Sequence, residues 1–392
     1  MGSSITMNIN KIRDEEQRQA LNSWARNNYI GSIIAGTGFG KSRCGIMAID
    51  HVLSNNSTGK ALILVPTVQL QNQFKEEFYK WGVESCLDNV EILCYQSAYK
   101  LVDNHYDIVL CDEIHLGLSP EYRKFFENNA WDRLLCMTAT LPEEQEYKQL
   151  LNDLAPTVYK ITLDQCVAKG IVSPYNIYCK PVQLTATEKD EYKKINNSFV
   201  YYKYQLGQFN AFDEAKRIMG DKNAHPADKK CAVMFYRAIR ERKKIVDFAT
   251  NKITQFQKLV LNNMDSKILA FSGANDFTDQ MCASVSPLSA AYHSKITKKK
   301  REQALEDFKT NKINVLCSTK ALNQGLDIPD ANMGVMCGIT SKALPMIQRI
   351  GRLIRFQEDK VGEIYILYVE NSQEEKWLKN AVKSLNNVNW LP

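Results

Sequence analysis

Short apolar runs alternate with amphipathic segments through the first part of the chain. Between these runs, Val68–Lys80 and Glu121–Asn128 repeat their apolar residues at helical spacing. Strands that are apolar along their whole length and alternate with helices are typical of a parallel sheet covered on both faces. The six predicted strands are Ser32–Ala35, Ala61–Val65, Glu91–Cys94, Asp107–Cys111, Arg133–Met137 and Val158–Thr162.

The same alternation starts again in the second half, where five more strands are predicted. Between residues 185 and 263 the pattern instead has helical periodicity, with many Lys, Glu, Tyr and Phe residues and no convincing strand. We therefore predict an α/β domain over residues 1–172 and a second over 173–392, which includes a helical insertion at 185–263. The strands of the second domain are Lys267–Phe271, Ala290–Tyr292, Asn314–Cys317, Gly334–Cys337 and Glu363–Tyr368.

Composition agrees with two globular domains. A chain of 392 residues is long enough for two cores, and 44% apolar with 24% charged residues is ordinary. The net charge of +6 permits nucleic-acid binding without requiring it. No apolar run reaches the length of a membrane span and no signal peptide precedes the first domain, so we expect no membrane association.

The cysteines indicate the compartment. The chain has 11 of them, an odd number, without a Cys-x-x-Cys pair, and several lie inside the predicted strands. This pattern favours small buried apolar side chains over metal ligands or disulfides. We therefore expect a reducing, cytoplasmic location.

A glycine-rich segment follows the first predicted strand and precedes an apolar-periodic helix. Such a turn cradles phosphates, because its backbone N–H groups and the positive end of the helix dipole face the anion. Lys41 would reach the β- and γ-phosphates, and the Ser42 hydroxyl would hold Mg²⁺. The predicted nucleotide-binding residues are Gly36, Thr37, Gly38, Phe39, Gly40, Lys41 and Ser42.

Two acidic residues follow the predicted strand Asp107–Cys111. The carboxyl ends of parallel strands are where an open α/β sheet presents its ligands. We expect Asp112 to hold Mg²⁺ beside Ser42, and Glu113 to orient and deprotonate the attacking water. Acidic pairs also occur at ordinary strand ends, and it is the upstream phosphate loop that favours the catalytic interpretation.

Residues 112–115 read Asp-Glu-Ile-His, which matches the DExH box of the superfamily 2 helicases and translocases. The other motifs of this superfamily follow in its order over nearly the whole chain, so the chain resembles that family. The resemblance implies two tandem RecA-like α/β domains and a nucleic-acid-dependent ATPase that uses ATP and Mg²⁺. It adds His115 to the catalytic residues.

The resemblance also implies roles for residues outside the phosphate loop and the acidic pair. The implied roles are adenine recognition by Arg13 and Gln17, nucleotide binding by Gly325 and Asp327, polynucleotide contact by Thr67, Gln96 and Thr319, and coupling of hydrolysis to strand movement by Thr138 and Thr140.

The segment from Gln348 to Arg355 matches motif VI of the family. A physical argument independent of the resemblance also predicts a catalytic role for it. Arg352 and Arg355 are three residues apart and would share one helical face. Arginines brought from a second domain stabilise the charge that develops on a transferring phosphoryl group, and Gln348 would order the water. The alternative is a basic helix face in solvent.

Within the superfamily, the segment Val65-Pro66-Thr67 and the passage 162–174 resemble double-stranded DNA translocases of the XPB, UvsW and RecG type. We therefore expect an ATP-dependent helicase or translocase acting on duplex or branched DNA. Only about thirty residues precede the phosphate loop. We expect no separate N-terminal DNA-binding domain there, which leaves room for a protein partner. Three alternatives stay open: an RNA helicase, a regulatory ATPase that does not move on nucleic acid, and the motor subunit of a restriction system.

Two weaker signals have two interpretations each. The aromatic residues Tyr201, Tyr202, Tyr204 and Phe209 of the insertion would either stack on bases or pack the insertion. The basic run 295–301 would either contact phosphates or form a solvated helix face.

Overall fold

The computed structural model describes residues 2–319, 331–340 and 361–392, apart from positions 37, 55, 57, 140, 143, 173 and 384, and only the backbone of residues 2–10. These residues form two compact units, and the chain first passes from one to the other between Asn176 and Ile177.

The first unit contains a six-stranded sheet in the order β3-β2-β5-β7-β1-β8, in which every ladder between neighbours is parallel. Because neighbouring strands run in the same direction, their carboxyl ends meet at one edge. Two further short strands, β4 and β6, pair with each other. The strands of this unit are β1 (Ile30–Ala35), β2 (Ala61–Val65), β3 (Val90–Cys94), β4 (His105–Tyr106), β5 (Ile108–Asp112), β6 (Ala130–Trp131), β7 (Leu134–Thr138) and β8 (Thr157–Ile161).

The helices of the first unit begin at residues that cap them. Thr67 accepts a hydrogen bond from the Leu70 amide at the start of α3, and Thr162 and Gln165 form a capping box at the start of α8. The helices are α1 (Gly2–Arg26), α2 (Lys41–Ser54), α3 (Val68–Lys80), α4 (Tyr95–Ala98), α5 (Ile114–Gly117), α6 (Lys124–Asn128), α7 (Gln145–Leu154) and α8 (Leu163–Ala168), with a 3-10 helix at Glu84–Asn89.

The second unit contains a seven-stranded sheet in the order β11-β12-β10-β13-β14-β9-β15. The ladders from β11 to β14 are parallel, as is the pairing of β9 with β15. Its core consists of the apolar strand residues and of helix residues such as Phe256 and Phe277. The strands are β9 (Tyr175–Val182), β10 (Ile268–Phe271), β11 (Ser289–Tyr292), β12 (Val315–Ser318), β13 (Met333–Met336), β14 (Gly362–Val369) and β15 (Val388–Trp390).

Four helices lie between β9 and β10. Three of them, α9 to α11, share a small core of their own around Phe235, which stacks on Phe199 at 5.4 Å between ring centroids. Tyr202 packs against this core, whereas Tyr201, Tyr204 and Phe209 are exposed, Phe209 at 93%. The helices of this unit are α9 (Ala186–Gln205), α10 (Ala211–Gly220), α11 (Pro226–Asp247), α12 (Thr250–Leu261), α13 (Asn275–Ser284), α14 (Lys298–Lys309) and α15 (Gln373–Val382).

Each predicted strand is present, with ends that differ by no more than two residues. The predicted helix 121–128 is shorter in the structure, where it begins at Lys124. The sequence analysis missed β9, β15, the two-residue strands β4 and β6, and the N-terminal helix α1. No helix in the described part of the chain is long and apolar enough to cross a membrane.

Candidate active site

The glycine-rich turn joins β1 to α2 at the carboxyl edge of the first sheet. Gly38 and Gly40 have φ values of +91° and +89°, which residues with a side chain rarely adopt. A Cβ atom at Gly40 would also collide with the Gln17 side-chain amide. The Gly36 amide donates to the Ile161 carbonyl at 3.0 Å, and Phe39 is buried. Thr37 lies outside the described residues.

Lys41 and Ser42, the predicted phosphate and metal ligands, are the first two residues of helix α2. The Lys41 ammonium donates to the Ala35 carbonyl at 3.0 Å, so its side chain lies back along the turn that it follows. Ser42 is half-buried. Both residues therefore stand at the positive end of the helix, where anions are stabilised.

Helix α1 brings Arg13 and Gln17 to this turn. The Gln17 amide donates to the Phe39 carbonyl at 2.8 Å, and its carbonyl oxygen accepts from Arg43 at 2.8 Å. Arg13 donates to the Ile171 carbonyl at 2.8 Å, and its Nε atom is buried without a hydrogen-bond partner among the described residues. Burial, followed by the charge of Arg43, lowers the pKa of Arg13.

A cavity of about 410 Å³ lies beside these residues. The Arg43 guanidinium, which also pairs with Asp14, stacks on the Trp81 ring at 4.3 Å from its centroid. The sequence analysis missed Asp14, Arg43 and Trp81; the position of Arg43 directly after the Lys-Ser pair was the one available signal. The cavity is lined by Arg13, Asp14, Gln17, Gly40, Ser42, Arg43, Glu77, Lys80 and Trp81.

The acidic pair lies at the end of β5. Asp112 is the last residue of the strand and is 7% exposed, and Glu113 follows it with a left-handed φ of +49°. Burial and then the charge of Glu113 raise the pKa of Asp112 to about 7. Burial alone would also raise the pKa of Glu113, but the hydrogen bond with His115 and the charge of Lys41 outweigh burial and lower it. The two neighbouring carboxylates therefore differ in their affinity for a proton.

A hydrogen-bond network connects Glu113, His115 and Thr138. The Thr138 hydroxyl, at the end of β7, donates to Glu113 Oε2 at 3.1 Å and lies 3.1 Å from His115 Nδ1. His115 Nδ1 is also 3.4 Å from Glu113 Oε2. The network connects two of the predicted motifs, since strands β5 and β7 are neighbours in the sheet. Thr140 lies outside the described residues.

The oxygen donors at this edge fit Mg²⁺ bound together with phosphates. No group of three or more His, Cys, Asp or Glu side chains suited to a metal occurs in the described part of the chain. Mg²⁺ takes one or two carboxylates and completes its shell with water and substrate phosphates. Asp112, a buried carboxylate at the end of β5, and the half-buried Ser42 hydroxyl are donors of that kind.

The residues expected to contact polynucleotide lie in different units. Thr67 caps α3 directly after β2, and Gln96 is exposed in α4 directly after β3. Since β2 and β3 are parallel neighbours, both residues lie at the carboxyl edge of the first sheet. Thr319, in the second unit, donates to Asn275 Oδ1 at 3.0 Å. Asn275, the first residue of α13, was missed by the sequence analysis.

Besides Thr37 and Thr140, five predicted site residues lie outside the part of the chain that the structure describes. They are Gly325, Asp327, Gln348, Arg352 and Arg355. Their roles stay predictions from the sequence.

Known families and proteins match both units. The family described as "Type III restriction enzyme, res subunit" matches residues 10–143, and the "Helicase conserved C-terminal domain" matches residues 251–357. The DNA 3'-5' translocase XPB2 of Sulfurisphaera tokodaii is 25% identical over an alignment of 369 residues, and the match covers 89% of this chain and 80% of that protein. A putative helicase of a Sulfolobus islandicus filamentous virus is 24% identical over 94% of this chain and 66% of its own length.

Solved structures of a helicase domain and of a restriction-modification enzyme share the fold. The Pyrococcus furiosus Hef helicase domain superposes with a TM-score of 0.57 at 15% identity, covering 93% of this chain and 97% of its own. The DNA-bound Type ISP restriction-modification enzyme LlaBIII superposes with a TM-score of 0.61 at 13% identity, covering 97% of this chain and 31% of its own.

These likenesses confirm the predicted fold of two RecA-like domains. The phosphate loop and the Asp-Glu-Ile-His turn lie at the carboxyl edge of the first sheet, and Thr138 contacts that turn. The two family models and the likeness to XPB2 therefore support a nucleic-acid-dependent ATPase of the superfamily 2 helicase and translocase type.

Proposed function

We propose that this protein is an ATP-dependent helicase or translocase that acts on duplex or branched DNA. The observation that carries the proposal is the likeness to the DNA 3'-5' translocase XPB2, which extends over 89% of the chain and so includes both units. The connected Glu113–His115–Thr138 network supports it, because a motor must link hydrolysis to a change elsewhere in the molecule.

In this proposal the first unit binds and hydrolyses ATP. Lys41 and the backbone amides of the glycine-rich turn bind the phosphates, and Arg13 and Gln17 read the adenine from the adjoining cavity. Mg²⁺, held by Ser42 and Asp112, would neutralise charge on the phosphate oxygens. Glu113 accepts a proton from the attacking water, and its lowered pKa keeps it ionised for that purpose.

The second domain predicted from the sequence, residues 173–392, supplies the remaining groups. Arg352 and Arg355 stabilise the charge on the transferring phosphoryl group and Gln348 orders the water, while Gly325 and Asp327 also bind nucleotide. The polynucleotide is held through its phosphates by Thr67, Gln96 and Thr319, and Thr138 and Thr140 couple hydrolysis to movement. Phosphate contacts carry little sequence information, so the protein should accept DNA of many sequences.

The decisive experiment compares ATP hydrolysis with duplex DNA, single-stranded DNA and RNA at one salt concentration. We expect duplex DNA to stimulate hydrolysis most. Lys41→Ala should abolish hydrolysis with every polynucleotide, because the phosphates lose their cation. The matched control is Lys75→Ala, at an exposed position of α3, which should behave like the wild type. Hydrolysis that is indifferent to all three polynucleotides would contradict a motor function and favour a regulatory ATPase.

An RNA helicase is the second candidate. The splicing helicase Prp28 of Lodderomyces elongisporus is 21% identical over 91% of this chain. A protein distinguishes RNA from DNA at the 2′-hydroxyl, so stimulation by RNA above duplex DNA would favour this candidate. A protein partner that confers junction specificity also stays a prediction.

The cysteines support a reducing, cytoplasmic compartment for this activity. All 11 are free, and nine of them are buried. Burial raises the pKa of several of these thiols, including Cys44 to about 12, so they are poor nucleophiles. The role of the buried cysteines with raised pKa values is therefore packing.

A further inference from the structure

Tyr95 connects the polynucleotide side of the first unit to the acidic pair. It is the first residue of α4 and directly precedes Gln96, yet its own side chain is buried, at 2% exposure. Its hydroxyl donates to the main-chain carbonyl of Asp112 at 2.9 Å. In the sheet, β2 lies between β3, which leads into Tyr95, and β5, which ends at Asp112. The side chain therefore spans the carboxyl end of an intervening strand.

The ring of Tyr95 packs against Tyr122 and Gly117. It stacks on Tyr122 with 6.2 Å between ring centroids, and it lies so close to Gly117 that a Cβ atom there would come within 2.6 Å of the Tyr95 Cε1 atom. Burial raises the pKa of the Tyr95 phenol well above its usual value, so the hydroxyl stays protonated and can donate. The ring thus also contacts α5, the short helix that carries His115.

The carbonyl that accepts this bond belongs to the peptide that joins Asp112 to Glu113. Glu113 has the left-handed φ of +49°, which places its carboxylate where it meets His115 and Thr138. A rotation of this peptide plane would change the direction of the Glu113 side chain. The bond from Tyr95 opposes that rotation.

We infer that Tyr95 is a positioning residue that transmits polynucleotide contact at Gln96 to the catalytic carboxylates. The inference rests on the proposed function. Helix α4 has only four residues, and Tyr95 and Gln96 are joined by one peptide bond. A bound phosphate that displaces Gln96 therefore also displaces Tyr95. Because the Tyr95 hydroxyl is hydrogen-bonded to the Asp112 carbonyl, a displacement of Tyr95 also moves the Asp112–Glu113 peptide. Bound polynucleotide then sets the orientation of Glu113, and the rate of hydrolysis responds.

The test is Tyr95→Phe, which keeps the ring and removes only the hydroxyl. The quantity to measure is the stimulation factor, the ratio of the ATPase rate with saturating duplex DNA to the rate without it. We expect this factor to fall about fivefold, in proportion to one lost hydrogen bond. The dissociation constant for DNA, measured by fluorescence anisotropy, should not change, because Gln96 is intact.

Two further variants accompany Tyr95→Phe. Tyr99→Phe is the matched control, because Tyr99 packs on the same Tyr122 ring at 6.0 Å, and it should keep the wild-type stimulation factor. Gly117→Ala is an independent route to the same result, since the added methyl group displaces the Tyr95 ring. If Tyr95→Phe fails to fold, as judged by circular dichroism, Gly117→Ala decides.

Three outcomes would be distinct. A reduced stimulation factor with unchanged DNA affinity supports the inference. A wild-type stimulation factor, or equal losses of the stimulated and unstimulated rates, overturns it and leaves the proposed function standing. A wild-type protein that no polynucleotide stimulates would refute the proposed function, and the inference with it.

Discussion

At the scale of single residues, the chemistry depends on groups that touch the two neighbouring carboxylates. Asp112 is buried beside a like charge and binds a proton more readily, whereas Glu113 is held ionised by His115 and Lys41. The surroundings therefore separate one carboxyl group that binds a proton readily from one that stays ionised. The division comes from the surroundings, since the two side chains differ by one methylene group.

Thr138 is the residue at which this division can be tested. Thr138→Val removes the hydroxyl that donates to Glu113 and contacts His115, and it keeps the shape of the side chain. We expect turnover to fall about tenfold, because Glu113 loses a hydrogen bond that orients it. Binding of a fluorescent ATP analogue should stay at the wild-type level.

Thr138→Ser is the matched control for this change. Serine restores the hydroxyl and should recover most of the turnover. Equal activity of the valine and wild-type proteins in steady-state ATPase assays would show that the network does not orient Glu113.

At the scale of elements, one carboxylate joins two helices of the second unit. Glu188 accepts from the Thr185 amide at 2.9 Å, which completes the capping box of α9. Its other oxygen accepts from the Thr250 amide at 2.9 Å and from the Thr250 hydroxyl at 2.8 Å, at the first residue of α12. A single side chain therefore joins the N-termini of the first and last helices of the insertion, α9 and α12.

Glu188→Gln should destabilise the second unit by about 1 kcal/mol at neutral pH, since charge-assisted hydrogen bonds become neutral ones. Burial raises the pKa of Glu188, but the hydrogen bonds from Thr250 and Thr185 outweigh burial and lower it. A lowered pKa means that the stabilisation is present above the unfolded-state value of 4.5 and is lost as pH falls through the folded-state value. The loss of stabilisation is measured as the difference in thermal unfolding midpoint between the wild type and Glu188→Gln at pH 7, 5 and 3.

The exposed Glu191 offers the control for this experiment. Glu191→Gln should leave the midpoint near that of the wild type at every pH. A difference between Glu188→Gln and the wild type that persists undiminished at pH 3 would contradict the proposed origin of the stabilisation.

At the scale of the whole molecule, the proposed motor needs groups from both units. The first unit contributes the phosphate loop and the acidic pair, and the second domain predicted from the sequence contributes the segment with Arg352 and Arg355. Neither arginine lies among the described residues, so this division of labour rests on the sequence. Because the catalytic groups come from two domains, the rate of hydrolysis would depend on how the domains are arranged.

Arg352→Ala should leave ATP binding largely intact and slow turnover by about 10³-fold, because the arginine acts on charge that develops only in the transition state. A fluorescent nucleotide reports binding, and single-turnover hydrolysis reports the chemical step. Arg240→Ala, at an exposed position of α11, is the control and should turn over normally. Hydrolysis by Arg352→Ala at the wild-type rate would rule out the two-unit arrangement.

Much of the first unit was predictable from local sequence. Val68–Lys80 was predicted with its observed ends from its apolar spacing, and in the structure Thr67 caps its first turn. Strand β9 was missed because its buried and half-exposed residues alternate, so it lacks the continuous apolar run that marked the central strands. Strand β15 was missed since two of its three residues are exposed.

By itself the sequence determined the buried strands, the phosphate loop and the acidic pair, because each depends on residues that are close along the chain. Only the tertiary structure decided which distant residues meet. Gln17 is 22 positions from the Phe39 carbonyl that it contacts, Tyr95 is 17 from Asp112, and Thr138 is 25 from Glu113. These contacts follow from the order of strands in the sheet, which is set by packing over the whole unit and not by local spacing.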